Sequence, residues 1–440
     1  MKVLFINDST SSSNWGDRAA AVSLMAMIRQ SGGQIIHAIT EENLWNSSFG
    51  NPSFGFTEAK ESRAREMARL CIPPIVLSAR RWVLSRRDDG GQDQHQLIPQ
   101  RWEDFEVAAE RVCREQRYGW PVVLRAIGNA DVAVIHGASL HGNGIIQRTD
   151  LFLTYLIKTR FGKPVVIANH TADLGHPGFR RMAEHVYPLF DDVVYRDPIS
   201  AERWASKCGG RFAADTAFWF EPTAREIWAP LVARPTYFDV WPDTAAFDPS
   251  QPYLCVGGSS IFHEREDWES VFNGYALLVQ HLRSVYSGTL VLTASAELDL
   301  PVFRPLAERF DLPLVGVMTP IQQAVDILGN ADAYIGGRWH PSIFALRGGT
   351  PLLALSSQTF KMRALADMTV PSSATFDALD LGREAKAIGR QVSLFLEQGS
   401  DLRSRLKAWA EEMAERSWDN VAFLRRYLRE WSAADPAAGL

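Results

Sequence analysis

The segment over residues 335–342 holds the side chains best suited to bind an anion. It reads Ile-Gly-Gly-Arg-Trp-His-Pro-Ser, and Lys361 follows 21 positions after His340. A short apolar strand is predicted before the glycines, and helices are predicted to begin just after His340 and at Lys361. Helix N-termini favour anions, and arginine and lysine bind phosphate and carboxylate groups. We therefore expect Arg338 and Lys361 to bind an anionic ligand, with Gly337 beside them. His340 exchanges protons near neutral pH and suits acid–base catalysis.

A second polar loop, Asn14-Trp15-Gly16-Asp17, follows the first predicted strand and opens a helix. Gly16 would let a ligand approach the backbone closely, and the free N–H groups of a helix N-terminus bind anions or hydroxyl groups. In the alternative interpretation, Asn14 or Asp17 only caps the helix. The two interpretations are compatible, and we expect Asn14, Gly16 and Asp17 to line a cleft.

Two further polar loops follow predicted strands in the first half of the chain. Residues 136–143 carry His136 and His141 among small residues, and the other loop begins with Asn169 and His170. The carboxyl ends of parallel strands lie at one edge of a sheet, where ligands bind. We therefore expect His141, Asn169 and His170 to face the same cleft.

Arg196 stands at the end of a short predicted strand, 193–195, and precedes Asp197 and a proline. A strand-end arginine suits a carboxylate or phosphate because its planar fork forms two parallel hydrogen bonds. The alternative is an Arg196–Asp197 pair that only fixes the turn.

The elements that would position these residues alternate between strand and helix in both halves of the chain. This pattern predicts an α/β protein with two doubly wound, Rossmann-like domains facing each other across a cleft, the arrangement known as GT-B. The expected units are an N-terminal domain at 1–220 with a helical insert at 41–115, a proline-rich linker at 221–252, a second domain at 253–382, and C-terminal helices at 383–440.

The composition excludes several classes of protein. The 440 residues carry a formal net charge of −5, which argues against a nucleic-acid partner. No apolar run reaches the roughly 18 residues of a membrane span. The arginine-rich run at 79–87 is typical of a solvated helix face rather than a binding patch.

Cysteine and histidine spacing argues against metals and disulfides. The four cysteines lie far apart without a Cys-x-x-Cys pair, and the early polar turn of the N-terminus is unlike a secretory segment. A reduced, cytoplasmic location is expected. Nothing fixes the spacing of His141, His170 and His176 for a metal, so we expect neither a metal nor a cofactor.

Taken together, these segments resemble the polysaccharide pyruvyl transferase family. The resemblance rests on Asn-Trp-Gly-Asp at 14–17, the Tyr-Arg-Asp-Pro segment within 193–202, Ala-Asp-Thr-Ala-Phe at 214–218, and the segment at 331–354 with Lys361 after it. The pieces occur in both halves, in the order and spacing of the family. The Arg-x-His segment with its downstream lysine is the most specific of them.

The resemblance implies a GT-B-like transferase that moves the enolpyruvyl unit of phosphoenolpyruvate onto a sugar, commonly as a cyclic pyruvate ketal. It implies that Arg196 and His340 are catalytic and that Arg338, Gly337 and Lys361 bind the donor. The remaining cleft residues then belong to the carbohydrate acceptor: Asn14, Gly16, Asp17, His141, Asn169, His170 and Trp339. The acceptor is open between lipid-linked and nucleotide-linked forms, and peripheral association with a membrane is compatible with either.

The chain departs from the family pattern at two positions near the expected acceptor. Trp339 replaces the usual small aliphatic residue, and Pro341 stands where alanine is common. Trp339 would stack on a sugar ring or, alternatively, pack in the interior. These departures bear on the identity of the acceptor more than on the chemistry of the donor.

Two other functions remain open. A nucleotide-sugar glycosyltransferase shares the fold, although residues 330–361 show no clear carboxylate for ribose hydroxyls after a strand. The other is a non-catalytic binding subunit of polysaccharide synthesis, which the retention of Arg338, His340 and Lys361 disfavours.

Overall fold

The computed structural model of the chain describes residues 1–40, 97–137, 139–142, 144–234, 244, 246–264, 267–369 and 374–434. Every structural statement below concerns these residues. Most of the insert predicted at 41–115, including the arginine-rich run at 79–87, lies outside them.

The first half of the chain is built on a parallel sheet with helices on both faces. The strands are β1 (Lys2–Ile6), β2 (Gln34–Ile39), β3 (Val132–His136), β4 (Ser139–His141), β5 (Val165–Asp173), β6 (Asp192–Tyr195) and β7 (Arg211–Phe212). Their order is β2-β1-β3-β5-β6-β7, with β4 beside β5. The helices are α1 (Trp15–Gln30), α2 (Phe105–Glu115), α3 (Trp120–Asn129), α4 (Ile145–Phe161), α5 (Pro177–Val186) and α6 (Pro198–Cys208). Each face of the sheet buries its own apolar cluster, as expected of a parallel sheet.

The second half repeats the arrangement around a smaller parallel sheet. Its strands are β8 (Tyr253–Ser259), β9 (Thr289–Thr293), β10 (Leu314–Val315), β11 (Tyr334–Gly337) and β12 (Leu352–Ala354), in the order β10-β9-β8-β11-β12. The helices are α7 (Arg225–Val232), α8 (Trp268–Val285), α9 (Leu300–Phe310), α10 (Ile321–Gly329), α11 (Trp339–Arg347) and α12 (Lys361–Met368). Because α7 lies in the proline-rich segment at 221–252, part of the predicted linker is helical.

Strand β5 continues beyond the predicted end at residue 168. A loop is predicted at residues 169–173, but β5 extends to Asp173, and β4 pairs with residues 171–173. The register of β5 against β6 shifts between Ile167 and His170. Asn169 lies at this shift with a left-handed φ of 57°, a conformation that asparagine tolerates better than most residues. The prediction of a loop at residues 169–173 is wrong because these residues continue strand β5.

The C-terminal helices connect the two halves. The long helix α13 (Leu381–Ser417) packs against α8, and Gly399 interrupts its helical geometry with a φ of 51°. The last helix, α14 (Ala422–Ala434), returns to the first sheet, where Val421 and Leu424 are buried in the same cluster as Phe5. None of the described helices has both the length and the apolar surface that a membrane crossing requires.

The start of α1 contacts the second sheet directly. The Trp15 side chain is fully buried, and its indole N–H points at the carbonyl oxygens of Gly316 (3.2 Å) and Val317 (3.0 Å). The Trp15 backbone N–H donates to the carbonyl oxygen of Ser295 at 3.0 Å. These carbonyl groups follow β9 and β10, whereas Trp15 follows β1. The carboxyl ends of the two sheets therefore face each other.

Candidate functional site

One buried carboxylate joins the two halves of the chain. Asp215 follows β7 and is fully buried, and its Oδ1 accepts a hydrogen bond from the Ala217 N–H at 2.8 Å. Its Oδ2 accepts from Arg196 Nη1 at 3.2 Å and from Trp339 Nε1 at 2.8 Å, and lies 3.4 Å from His340 Nε2. Arg196 belongs to the first half, and Trp339 and His340 begin α11 in the second. A single oxygen atom therefore holds three side chains from both sides of the cleft.

Asp215 is ionised at neutral pH. Burial alone would raise the pKa of its carboxyl group, but the charges of His340 and Arg196 outweigh burial and hold that pKa below its usual range. The buried negative charge is therefore matched by neighbouring positive charge, which is the condition under which such a charge is tolerated.

Arg196 is held from three directions. It follows β6, its Nε donates to Thr171 Oγ1 at 3.0 Å, and its guanidinium carbon lies 5.3 Å from the centre of the Trp339 ring. The side chain is 3% exposed. The neighbouring Asp197 caps α6 by accepting from the Ser200 N–H at 2.7 Å. Arg196 is thus a rigid, buried cation at the edge of the first sheet.

The His340 ring packs on the first turn of α1. A Cβ atom on Gly16 would lie 2.7 Å from His340 Cγ and closer still to its Nδ1. Asn14 Oδ1 accepts from the Gly16 N–H at 2.8 Å, so the capping interpretation of Asn14 is seen. The close approach allowed by Gly16 is made by His340 in this closed cleft.

Arg338 forms a second buried ion pair. Its Nε and Nη2 donate to Asp299 Oδ1 at 3.2 Å and 2.7 Å. Asp299 is fully buried, and its Oδ2 accepts from the backbone N–H groups of Ser295 (3.0 Å) and Ala296 (3.1 Å). This network fixes the direction of the Arg338 guanidinium at the start of α11.

Lys361 has no counter-charge among the described residues. It begins α12 and is partly buried, and no described residue offers its amine a hydrogen bond or an ion pair. Burial, together with the positive charges of Arg196 and Arg338, lowers the pKa of Lys361 to about 7. Asp17 opposes this shift weakly. An anionic ligand would supply the missing partner and favour the protonated amine.

Three expected acceptor residues are buried. His170 is fully buried, with Nδ1 2.9 Å from the Val194 carbonyl oxygen and Nε2 3.3 Å from the Tyr187 hydroxyl. Burial lowers its pKa to about 3, so the ring is neutral and structural. Asn169 is equally buried, and its Oδ1 accepts from the Thr216 N–H at 2.9 Å.

Trp339 is the third of these residues. The side chain is buried and its indole N–H is bonded to Asp215, so of the two interpretations of Trp339 interior packing is the one observed. The absence of a side chain at Gly337 allows close packing of the neighbouring strands, since a Cβ atom there would lie 2.5 Å from Ser259 Oγ. His141 belongs to β4 and lies opposite Asp173 of β5. Arg196 follows β6, which pairs with β5, so β5 separates the backbone of His141 from the strand that precedes Arg196.

Sequence reasoning missed the two carboxylates that organise the cations. Asp215 stands in the Ala-Asp-Thr-Ala-Phe segment, which carried the family resemblance but received no role. Asp299 follows β9 by six residues and carries no motif. A strand-end position was the only available signal for either. No group of metal-binding side chains gathers within the described ranges.

Replacing Asp215 with asparagine should lower the free energy of unfolding by about 3–5 kcal/mol at pH 7, because the buried Arg196 loses its counter-charge. Folding lowers the pKa of Asp215, so its charge stabilises the fold above the unfolded pKa of about 3.9, and this contribution declines as the pH falls below that value. Urea unfolding at pH 7 and at pH 3 should therefore show a smaller difference at pH 3.

Asp367→Asn is the matched control, because Asp367 forms an exposed pair with Arg363 at 3.7 Å. That substitution should cost less than about 1 kcal/mol. Equal losses for the two variants, or a loss at Asp215 that does not change with pH, would contradict the structural role given to Asp215.

Comparison with known proteins identifies the family and the fold. A family model described as "Polysaccharide pyruvyl transferase" matches residues 17–359, a range that includes Arg196, Asp215, Arg338 and His340 and ends two residues before Lys361. No curated protein sequence matches the chain significantly.

The similar solved structures act on or bind sugars and nucleotides. UDP-GlcNAc 2-epimerase from Neisseria meningitidis, bound to UDP-GlcNAc, is 12% identical with a TM-score of 0.51, covering 97% of this chain and 100% of that one. MnaA from S. aureus, in a co-structure with UDP, is 12% identical with a TM-score of 0.51, covering 97% of this chain and 97% of that one. Spinosyn rhamnosyltransferase SpnG is 14% identical with a TM-score of 0.50, covering 96% of this chain and 100% of that one. At these identities the likeness shows the fold alone, and it confirms the predicted GT-B arrangement. The match to the family model extends over most of the sequence and includes both halves of the cleft, and the chain belongs to the polysaccharide pyruvyl transferase family.

Proposed function

We propose that this protein transfers the pyruvyl group of phosphoenolpyruvate to a sugar and forms a pyruvate ketal. The observation that carries the proposal is the convergence of Arg196, Arg338, Lys361 and His340 on one closed cleft, with the Lys361 amine lacking an anionic partner among the described residues. A small ligand with a phosphate and a carboxylate fits such a set of cations.

The three cations have different partners and therefore different roles toward the donor. Asp299 fixes Arg338 in direction, and Lys361 stands near it without a counter-ion, so these two bind the phosphate. Arg196 is held by Thr171 and Asp215 on the opposite wall, and it binds the carboxylate. A guanidinium group stays protonated in proteins, so Arg196 acts through its charge rather than as an acid.

The reaction consists of an addition and a substitution at C2 of the donor. A proton is added to the methylene carbon, C2 becomes electrophilic, and one sugar hydroxyl group attacks it and loses its proton. A neighbouring hydroxyl group then displaces the phosphate, closes the ketal and loses its own proton. His340 is the group placed to exchange one of these protons, because its Nε2 lies 3.5 Å from Arg196 Nη1 at the carboxylate end of the donor site.

The cleft must open for substrates to enter. The side chains of Arg196, Arg338 and His340 are only 3%, 7% and 11% exposed. Closure around the donor would exclude water and strengthen each charge interaction on the reacting phosphate. Because the indole N–H of Trp339 is bonded to Asp215, we place the acceptor beside the first turn of α1, where Asp17 lies. We leave the acceptor open between lipid-linked and nucleotide-linked sugars.

The direct test measures phosphate release from phosphoenolpyruvate with a panel of free, lipid-linked and nucleotide-linked sugars. Acceptor-dependent release, with a ketal in the product, supports the proposal. Several similar structures bind UDP or a UDP-sugar, which favours glycosyl transfer as the second candidate. Tight UDP-sugar binding without phosphoenolpyruvate binding would select that candidate.

The affinity for phosphoenolpyruvate should depend on pH through Lys361. A pKa of about 7 means that the amine loses its charge as the pH rises through 7, so the donor should bind more weakly above that pH, by at most about tenfold per unit. Lys361→Arg keeps the charge and should remove this dependence. Lys361→Met should weaken binding about ten- to a hundredfold at pH 6.5. Calorimetry from pH 6 to pH 9 measures both effects, and an unchanged pH profile in Lys361→Arg would exclude Lys361 as the titrating group.

Gly16→Ala should reduce turnover without unfolding the protein. Position 16 has a helical backbone that accepts alanine, but the added methyl group would displace the His340 ring. A displacement of about 1 Å in a catalytic group costs roughly a hundredfold in rate. In the matched control Gly274→Ala, on α8, the new Cβ meets its nearest atom, Leu381 Cβ, at an ordinary 3.5 Å. Steady-state kinetics beside a thermal melt measure the effect, and equal turnover in the two variants would contradict the contact's importance.

A further inference from the structure

His136 ends the central strand β3 and lies under the start of α1. Side chains alternate along a strand, so His136 shares a face with Val132 and Val134, which are buried in the cluster that includes residues of α1. Its ring stacks against Phe5, with centroids 6.3 Å apart and planes 23° apart. The residue is 2% exposed. Its ring is therefore enclosed at the carboxyl end of the first sheet, on the face that α1 covers.

The Nε2 atom of His136 is buried and has no hydrogen-bond partner among the described residues. Buried polar atoms are nearly always bonded, so an unpartnered one calls for an explanation. The buried His170 shows the usual situation, since both of its ring nitrogens have protein partners. The orphaned nitrogen of His136 lies at the carboxyl end of β3, the edge at which Arg196 and the start of α1 also lie.

The charged and titratable groups around His136 come from four elements. Arg196 follows β6, Asp17 belongs to α1, Asp215 follows β7 and His340 belongs to α11. Burial and the charge of Arg196 lower the pKa of His136 to about 4, His340 acts in the same direction, and the two carboxylates oppose them. At neutral pH the imidazole is uncharged, and in the tautomer protonated on Nδ1 its Nε2 is a free base.

Ketal formation removes protons from two hydroxyl groups of the same sugar, and His340 can accept only one of them at a time. We propose that His136 Nε2 accepts the proton of the acceptor hydroxyl group that closes the ketal. This inference rests on the proposed function. In the step, the hydroxyl O–H bond breaks, its oxygen forms a bond to C2, and the C2–O bond to phosphorus breaks with its electron pair leaving on phosphate. The proton on His136 then passes to the departing phosphate, which restores the neutral ring.

The opposed positions of the two histidines support this division of labour. His340 approaches from the second sheet and packs on Gly16, whereas His136 belongs to the first sheet. A sugar that enters between the sheets presents neighbouring hydroxyl groups to both walls. Because His340 packs on Gly16, movement of α11 away from the first sheet would uncover the first turn of α1.

The test compares His136→Gln with the matched control His170→Gln. Glutamine retains a hydrogen-bonding group of similar size but is not a base. In His136→Gln, the phosphate release rate should fall about a hundred- to ten-thousandfold, while the affinity for phosphoenolpyruvate changes less than about threefold. His170→Gln should lower the melting temperature, with turnover per folded molecule retained.

Chemical rescue separates a catalytic role from a structural one. Added imidazole should restore turnover to His136→Gly in proportion to its unprotonated fraction, so the rescue should increase as the pH rises through 7, and it should not act on His170→Gly. Full activity of His136→Gln in an active wild-type background would overturn the inference. A loss of activity accompanied by an equal loss of donor affinity, without rescue, would also overturn it. If the wild-type protein releases no phosphate with any acceptor, the proposed function itself fails.

Discussion

The closed cleft depends on one carboxylate oxygen, Asp215 Oδ2, which is approached by Arg196, Trp339 and His340 from both halves of the chain. This contact fixes the guanidinium group over the tryptophan ring and holds the imidazole against the start of α1. A buried anion is tolerated only when it is paired, so the carboxylate and its cations stabilise one another and neither side can be removed alone. Because Asp215 and Arg196 both belong to the first half, opening of the cleft must break the contacts of Asp215 with Trp339 and His340.

The remaining charges explain why the cleft suits a small polyanion. Asp299 compensates Arg338 in the second half, as Asp215 compensates Arg196, whereas the Lys361 amine has no such partner among the described residues. Ion pairs therefore hold Arg196 and Arg338 in place, while the amine of Lys361 has no negative charge bonded to it among the described residues. Preorganised charges in a water-poor site stabilise developing charge more effectively than mobile ones. Burial of Lys361 and the charges of Arg196 and Arg338 lower its pKa to about 7, which would connect the proposed donor binding to pH.

The sequence predicts the parts of this arrangement that have local or periodic signals. Alternating apolar runs and helix signals give the two parallel sheets, and the start of α12 at Lys361 is as predicted. The cation cluster follows from strand ends at the facing edges of the two sheets. The orientation of individual side chains does not follow, because it is decided by contacts between distant positions. Trp339 and Asp215 are 124 residues apart, and the hydrogen bond between them holds the Trp339 side chain in the interior. The sequence alone left interior packing and stacking on a sugar ring as alternatives. The prediction for His170 fails for a related reason: its ring contacts Val194 and Tyr187, which are distant in the sequence, and lies in the core.

A crystal structure of the protein with phosphoenolpyruvate bound would test the central claim most directly. The account predicts phosphate oxygens at hydrogen-bond distance, about 2.7–3.2 Å, from Lys361 Nζ and the Arg338 guanidinium, with the carboxylate against Arg196 and His340 beside C2. It also predicts that Asp215 remains bonded to Arg196 in the complex. Donor density elsewhere in the molecule, or a phosphate that contacts neither Lys361 nor Arg338, would contradict it.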